Sequence, residues 1–283
     1  MPLVTTRDLL LDARRGGYAV AAFNIENMEM AQSVIRTADE MRSPVIIQTT
    51  PGTVNYAGFD MLRAMVAVEA AKTDMPVAVH LDHGDSYERC AAAIDSGYTS
   101  VMIDGSKLPY EENIAVTKAV VDLAAKKNID VEGELGRVGG KEDTHEVKAG
   151  EDIYTDPQQA KDFAERTGVR SLAVAIGTAH GFYKGEPKLD FVRLEKIIGL
   201  VNIPIVLHGA SGVPDEAVRR AVGLGICKVN FATELRAALT KGVREALRDE
   251  AVYDPKVFMK LGKKQVEEIV RHKIQVCGCD NRA

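Results

Sequence analysis

The residues most able to do chemistry in this chain are its imidazoles and the carboxylates beside them. Six histidines occur: His80, His83, His145, His180, His208 and His272. His83, His180 and His208 each stand at or just beyond the end of a short apolar run. Three imidazoles that converge and leave a fourth position open make a catalytic zinc site. A histidine taken singly is ordinarily a core or surface residue, so the shared placement of three is what favours a metal. Asp82, next to His83, ends the same run, and Asp104 and Glu134 stand at the ends of two others. His80 lies three residues before His83, so strand alternation predicts that it faces the other way and sits deeper. His145 and His272 are expected to be loop and surface residues.

Turns carrying glycine or a hydroxyl residue follow three of these runs: His180-Gly181, His208-Gly209-Ala210-Ser211-Gly212 and Asn230-Phe231-Ala232-Thr233. Glycine lets backbone N–H groups approach an anion closely, and Ser211 and Thr233 add hydroxyl donors. One such turn is an ordinary turn. Adjoining turns beside a metal set predict a phosphorylated substrate.

The elements that must carry these residues alternate regularly. Strands are predicted at residues 18–23, 44–49, 77–83, 100–104, 130–135, 171–177, 204–208 and 228–232. Between them, residues 28–41, 61–73, 112–126 and 157–167 show the three-and-four apolar spacing of helices, and several helical stretches stop at Gly97, Gly168 or Gly225. Two more helical stretches, 234–248 and 255–276, follow the eighth strand. Continuous apolar strands such as Ser171-Leu-Ala-Val-Ala-Ile176 suit a parallel sheet buried on both faces. Eight such strands in strict alternation with helices predict an α/β TIM (β/α)8 barrel with extra C-terminal helices, one domain spanning residues 1–283. An open doubly wound sheet is the competing arrangement, but no strand is followed by a GxGxxG turn. In a barrel the strand ends form one rim, where active sites are built. The long connection 136–156, with Gly139-Gly140 and many charges, is expected to be a lid.

Composition excludes several function classes. The chain has 283 residues, 46% of them hydrophobic, and a formal net charge of −5. Nucleic-acid binding needs a basic face, and none is visible. No apolar run is long enough for a membrane helix. The first dozen residues carry Arg7, Asp8 and Asp12 and lack the apolar stretch of a secretory leader, so a cytoplasmic location is expected. Cys90, Cys227, Cys277 and Cys279 are few and irregularly spaced, which favours reduced thiols over a disulfide framework.

Taken together, the motifs resemble the class II ketose-bisphosphate aldolases. The resemblance is carried by His80-Leu-Asp-His83, Glu132-Gly-Glu-Leu-Gly136, Gly139-Gly-Lys-Glu-Asp143, Gly177-Thr-Ala-His-Gly181, Leu207-His-Gly-Ala-Ser-Gly212 and Lys228-Val-Asn-Phe-Ala-Thr-Glu234. It runs from Tyr18-Ala-Val-Ala-Ala-Phe-Asn24 to Cys277-Gly-Cys-Asp-Asn-Arg282. Within the family the chain looks nearest the tagatose-1,6-bisphosphate aldolase branch. Ala232 stands where fructose-bisphosphate enzymes usually carry an acid, and Ala210 where they tend to have Gly. Gly84-Asp85 departs from the better-known tagatose enzymes, which typically have a second His and an acidic or polar residue there.

The resemblance implies a TIM-barrel lyase that cleaves a ketose bisphosphate by zinc-stabilised enediolate chemistry. It implies that His83, His180 and His208 hold zinc, with Asp104 and Glu134 at an alternative or second metal position. Asp82 would exchange the C4 hydroxyl proton, and Glu142 on the lid the proton at the dihydroxyacetone-phosphate carbon. Gly181, Gly209, Ala210, Ser211, Asn230, Phe231, Ala232 and Thr233 would cradle phosphate and a monovalent cation (Na+ or K+), with Lys184 and Lys273 assisting in charge. A homodimer or homotetramer, with a non-catalytic partner subunit in some relatives, also follows from it.

Rival chemistries fit less well. A Schiff-base aldolase needs a desolvated lysine at a strand end, whereas Lys107 and Lys184 fall in loops and Lys228 at the start of a strand. A metal-dependent hydrolase would show an HxH pair, which is absent. A silent barrel that only stabilises a partner would have lost its ligands.

Overall fold

A computed structural model describes residues 3–142, 145–147, 154–181, 183 and 185–283, without the side chains of 141, 142 and 145–147. Eight parallel strands close into a barrel. In chain order the strands among the described residues are β1 (Val20–Asn24), β2 (Val45–Thr49), β3 (Val77–Gly84), β4 (Ser100–Ile103), β5 (Asp130–Leu135), β6 (Gly139–Glu142), β7 (His145–Val147), β8 (Ser171–Val174), β9 (Ala179–His180), β10 (Ile205–Leu207) and β11 (Ile226–Phe231). The barrel runs β1-β11-β10-β8-β5-β4-β3-β2 and back to β1, while β7-β6-β9 form a separate small sheet. The predicted barrel is the observed one. Its strands are buried on both faces because helices cover them outside and side chains fill them inside.

The helices that alternate with the strands are α2 (Met28–Glu40), α3 (Pro51–Ala57), α4 (Phe59–Ala70), α5 (Tyr87–Asp95), α6 (Tyr110–Ala125), α7 (Pro157–Thr167), α8 (Phe191–Leu200), α9 (Asp215–Leu224) and α10 (Thr233–Ala246). They follow a leading α1 (Thr6–Gly16), and α11 (Pro255–Cys277) closes the chain. Their starts are written in cap residues. Asn27, Ser86, Asp156 and Asp254 each accept from a backbone N–H of the first turn, and Asp156 and Asp254 precede a proline whose fixed φ suits the first helical position.

Three features depart from expectation. First, α1 lies across the N-terminal end of the barrel: Arg7 N donates to Asp130 Oδ2 at 2.7 Å, and Thr6 Oγ1 to Ser100 Oγ at 3.1 Å. Second, the barrel strand predicted over 171–177 stops at Val174, and His180 stands on the separate β9. Third, the connection 136–156 holds the hairpin β6–β7, docked on β9 with Gly139 opposite Ala179 and Gly140 opposite His180. A Cβ on Gly140 would lie 2.1 Å from the His180 carbonyl oxygen, so only glycine permits this contact. The four cysteines are buried free thiols, and no described helix is long and apolar enough to cross a membrane.

Candidate active site

The site is assembled at the C-terminal rim. His83 is the last residue but one of β3, His180 sits on β9, and His208 lies one residue past β10. All three rings are buried, and their ligating atoms lie within 4.8 Å of one another. His83, Asp104 and Glu134 form a second group that shares His83.

The approach of His83 needs a break in β3. Its φ is +50°, and the pairing of β3 with β4 shifts register between Leu81 and Gly84. Regular alternation would turn consecutive residues to opposite faces. The left-handed residue cancels that turn, so Asp82 and His83 both meet partners inside the barrel. The expectation for His80 is corrected by the same break. His80 faces the interior too, one layer deeper, with Nδ1 2.8 Å from Ser100 Oγ and Nε2 3.5 Å from Lys228 Nζ. Burial and the Lys228 charge hold its pKa well below the ordinary imidazole range, so it stays neutral.

Two of the three ligand candidates, His83 and His208, are oriented from behind by a carboxylate. His83 Nδ1 is 3.0 Å from Asp104 Oδ2, and its Nε2 faces His208 Nδ1 at 3.1 Å. His208 Nε2 is 2.8 Å from Glu132 Oε1. With both outer nitrogens donating to carboxylates, the facing nitrogen of each ring carries a lone pair whenever that ring is neutral. Lone pairs so close repel unless a cation or proton lies between them. Their separation is near the ~3.3 Å edge of a tetrahedron with Zn–N bonds of ~2.0–2.1 Å. A carboxylate behind each ligating imidazole is the usual means of fixing its tautomer.

Charge leads to the same reading. Asp82, Asp104, Glu132 and Glu134 converge here and are shielded from solvent. Glu134 is fully buried, and no hydrogen-bond donor among the described residues reaches either of its carboxylate oxygens. Two imidazole nitrogens stand near its Oε2, His208 Nδ1 at 3.7 Å and His83 Nδ1 at 3.8 Å. Burial, then the neighbouring Asp104, Glu132 and Asp82, push its carboxyl pKa well up. Burial opposes a charged His83, but Asp82, Asp104 and Glu134 outweigh it and raise its pKa well above the usual range. His208, buried beside His83, is pushed well below. A set of imidazoles and surplus carboxylates of this kind fits a divalent cation.

Asp82 is held differently. Its Oδ2 accepts from Asn24 Nδ2 at 2.8 Å and its Oδ1 from Asn230 Nδ2 at 3.1 Å, and Gln48 Nε2 in turn supports Asn24 Oδ1 at 2.9 Å. Burial raises its pKa, but the charges of His83, His208 and Lys228 and the Asn24 hydrogen bond outweigh it and keep the carboxyl below its usual range.

Beside the imidazoles, His180, Gly181, Gly209, Ser211, Asn230, Ala232 and Thr233 line one small cleft. Tyr183 fastens two of its turns: its hydroxyl accepts from Ala179 N and donates to Gly209 O, both at 2.7 Å. Burial pushes the Tyr183 phenol up to about 12, so it keeps the proton it donates. Ser211 Oγ accepts from Ala232 N at 3.2 Å and ties the third turn to the second.

Not every candidate residue lines this cleft. Ala210 and Phe231 are fully buried, and Phe231 stacks on Phe23 with ring centroids 5.7 Å apart, so its side chain belongs to the core. Asn230 reaches the cleft, but its amide serves Asp82. Lys273, buried on α11, pairs with Glu234 at 3.0 Å. Glu142 lies on β6 with its side chain outside the described residues, as does all of Lys184. Lys228 is not at a free strand start: it points into the barrel and pairs with Glu132 Oε2 at 2.7 Å. Sequence reasoning assigned no role to Asn24, Gln48, Glu132 or Tyr183. The alternation Asp130-x-Glu132-x-Glu134 was the one available signal for Glu132.

The sequence profile of the family described as "Fructose-bisphosphate aldolase class-II" matches residues 4–282. The chain belongs to that family. It is therefore an aldolase, a carbon–carbon lyase of a family that is in general zinc-dependent. The aldolase is 46% identical, over the full length of both chains, to the D-tagatose-1,6-bisphosphate aldolase subunit GatY of Klebsiella oxytoca. It is 39% identical to the YdjI aldolase of Escherichia coli K12, with 99% of each chain covered and a TM-score of 0.89. The fructose-bisphosphate aldolase of Campylobacter jejuni, 22% identical with a TM-score of 0.84, covers all of this chain and 97% of its own and shares the fold.

Proposed function

We propose that this aldolase reversibly cleaves tagatose 1,6-bisphosphate to dihydroxyacetone phosphate and glyceraldehyde 3-phosphate. The observation that carries the reading is the convergence of His83, His180 and His208 beside Asp82 and a glycine-lined cleft. The choice of sugar is supported by Ala232 and Ala210 and by the likeness to GatY.

In this reading His83, His180 and His208 hold zinc, with Asp104 and Glu134 offering a second position. When bound, the metal supplies Lewis-acid polarisation of the substrate's ketone and hydroxyl oxygens. Asp82 takes the C4 hydroxyl proton during cleavage and returns it during condensation. Two amides hold its oxygens in place, and its depressed pKa keeps it ionised as a base. Glu142, carried on the hairpin that docks against His180, exchanges the proton at the dihydroxyacetone-phosphate carbon, and the hairpin excludes water. Backbone N–H groups around Gly181, Gly209 and Ser211, with the Thr233 hydroxyl at the start of α10, receive phosphate, and a sodium or potassium ion balances its charge. The chain works as a homodimer or homotetramer. That GatY is named as a subunit supports a partner chain as well.

Assaying the purified chain against tagatose and fructose 1,6-bisphosphate, with and without added zinc, tests the reading. Zinc-dependent cleavage of the tagatose ester at the higher kcat/KM is expected. Preferred cleavage of the fructose ester would overturn the choice of sugar. Activity that survives chelation but is lost with borohydride plus substrate would overturn the zinc chemistry.

A further inference from the structure

A lysine with no exposure to solvent stands inside the barrel below the histidines. Lys228 Nζ is 2.7 Å from Glu132 Oε2, and Glu132 Oε1 is 2.8 Å from His208 Nε2. The carboxylate thus has one oxygen on a cation and the other on an imidazole. Below, His80 Nε2 lies 3.5 Å from Lys228 Nζ, and His80 Nδ1 bonds Ser100 Oγ at 2.8 Å. The neutral His80 accepts from the ammonium, and its Nε2 also lies 3.9 Å from Glu132 Oε2, the oxygen Lys228 holds.

We propose that Lys228 is a positioning residue for the metal site: by holding one oxygen of Glu132 it aims the other at His208 Nε2 and commits His208 Nδ1 to the ion. The inference rests on the reading of His83, His180 and His208 as ligands. Its physical content is a restriction of choice. An imidazole offers two nitrogens, and which one ligates is set by the bond the other makes. A carboxylate accepts and never donates, so Glu132 forces Nε2 of His208 to carry the proton. A carboxylate side chain also rotates, and in the barrel interior the ammonium fixes that rotation. Among the described residues Lys228 bonds Glu132 and His80 and no ligand candidate, so beyond its charge it acts on His208 through Glu132. The alternative is that Lys228 only neutralises a buried charge, which is the ordinary reason for a buried ion pair.

Two variants and their combination separate these roles, read by zinc affinity in chelator competition and by the melting temperature of the metal-free protein. Wild type is expected to bind one zinc per chain. Lys228→Met leaves Glu132 buried without its cation, and both zinc affinity and melting temperature should fall. The double variant Lys228→Met with Glu132→Gln removes both charges, so its melting temperature should recover. Its zinc affinity should stay about 10–100-fold below wild type, because an amide presents either an acceptor or a donor to His208. Recovery of wild-type zinc affinity in the double variant would overturn the proposal and leave charge neutralisation. So would wild-type affinity in Lys228→Met alone. If Lys228→Met does not fold, the double variant and Glu132→Gln still decide. Failure of the wild-type protein to bind zinc would instead overturn the ligand reading itself.

Discussion

Asp130 and Glu134 are buried carboxylates four residues apart on β5, at opposite ends of the barrel interior. Asp130, at the bottom, has both oxygens satisfied by Arg7: the backbone N–H at 2.7 Å and Nη2 at 2.9 Å. Glu134, at the mouth, has neither oxygen reached by a donor among the described residues. Glu132 lies between them with one oxygen on Lys228 and one on His208. Gly133, between the last two, faces outward, where an added Cβ would meet Phe163 of α7 and Val169 just beyond that helix. One strand therefore presents three acids to the interior, and their supply of donors falls toward the mouth. A buried acid with its donors in place is structural. One left short of donors at a rim crowded with imidazoles is part of a cation site.

The comparison breaks most severely at Asp82. Asp82→Ala should lower kcat by about 10²–10⁴-fold, the usual worth of a positioned acid–base group, while circular dichroism stays that of the wild-type barrel. Near-normal turnover would remove the proposed base. The two ends of β5 should then answer oppositely. Glu134→Gln should weaken zinc binding and leave the metal-free melting temperature unchanged or raised, because it replaces a carboxyl whose ionised form burial disfavours and which no donor among the described residues reaches. Asp130→Asn should cost about 1–3 kcal/mol of stability in a urea titration and leave zinc affinity alone, because it weakens hydrogen bonds to a charged group. Equal effects of the two changes on zinc would erase the distinction.

A smaller loss is expected at the hairpin. Gly140→Ala places a methyl against the His180 backbone, so kcat should fall by up to about 10²-fold from misplacement, with faster proteolysis within 136–156. The smallest effect belongs to the outer helical layer. Glu69 on α4, hydrogen-bonded by Arg36 and Lys72, is pushed up by burial, but those hydrogen bonds and charges outweigh burial and lower its pKa. A lowered folded pKa contributes stability that is present above the unfolded carboxyl value of ~4.3 and is lost as pH falls through the folded value. Both cations are largely exposed, so Glu69→Gln should cost no more than about 1 kcal/mol at neutral pH. That difference should shrink toward zero on acidification below about pH 4.

The barrel was legible because its strands are apolar on both faces and its helices carry caps and glycine stops. Boundaries at β5 and α7 fall where the pattern puts them, since Asp130–Leu135 and Pro157–Thr167 are bounded by sharp changes of residue type. Helix α1 was missed because its role depends on the barrel end it covers, which no local pattern announces. The convergence of Asp82, His83, His180 and His208 was legible from their placement at strand ends. What positions them was not. The inward turn of both Asp82 and His83 needs a left-handed residue inside β3, against strand alternation. Asn24, Gln48, Glu132 and Lys228 read as ordinary strand residues until closure of the barrel points them at one another.

Anomalous diffraction at the zinc edge from crystals of the zinc-loaded protein tests the central claim most directly. A single peak about 2.0–2.1 Å from His83 Nε2, His208 Nδ1 and a nitrogen of His180 is the expected result. Rings turned away from one another with no peak between them would contradict the account.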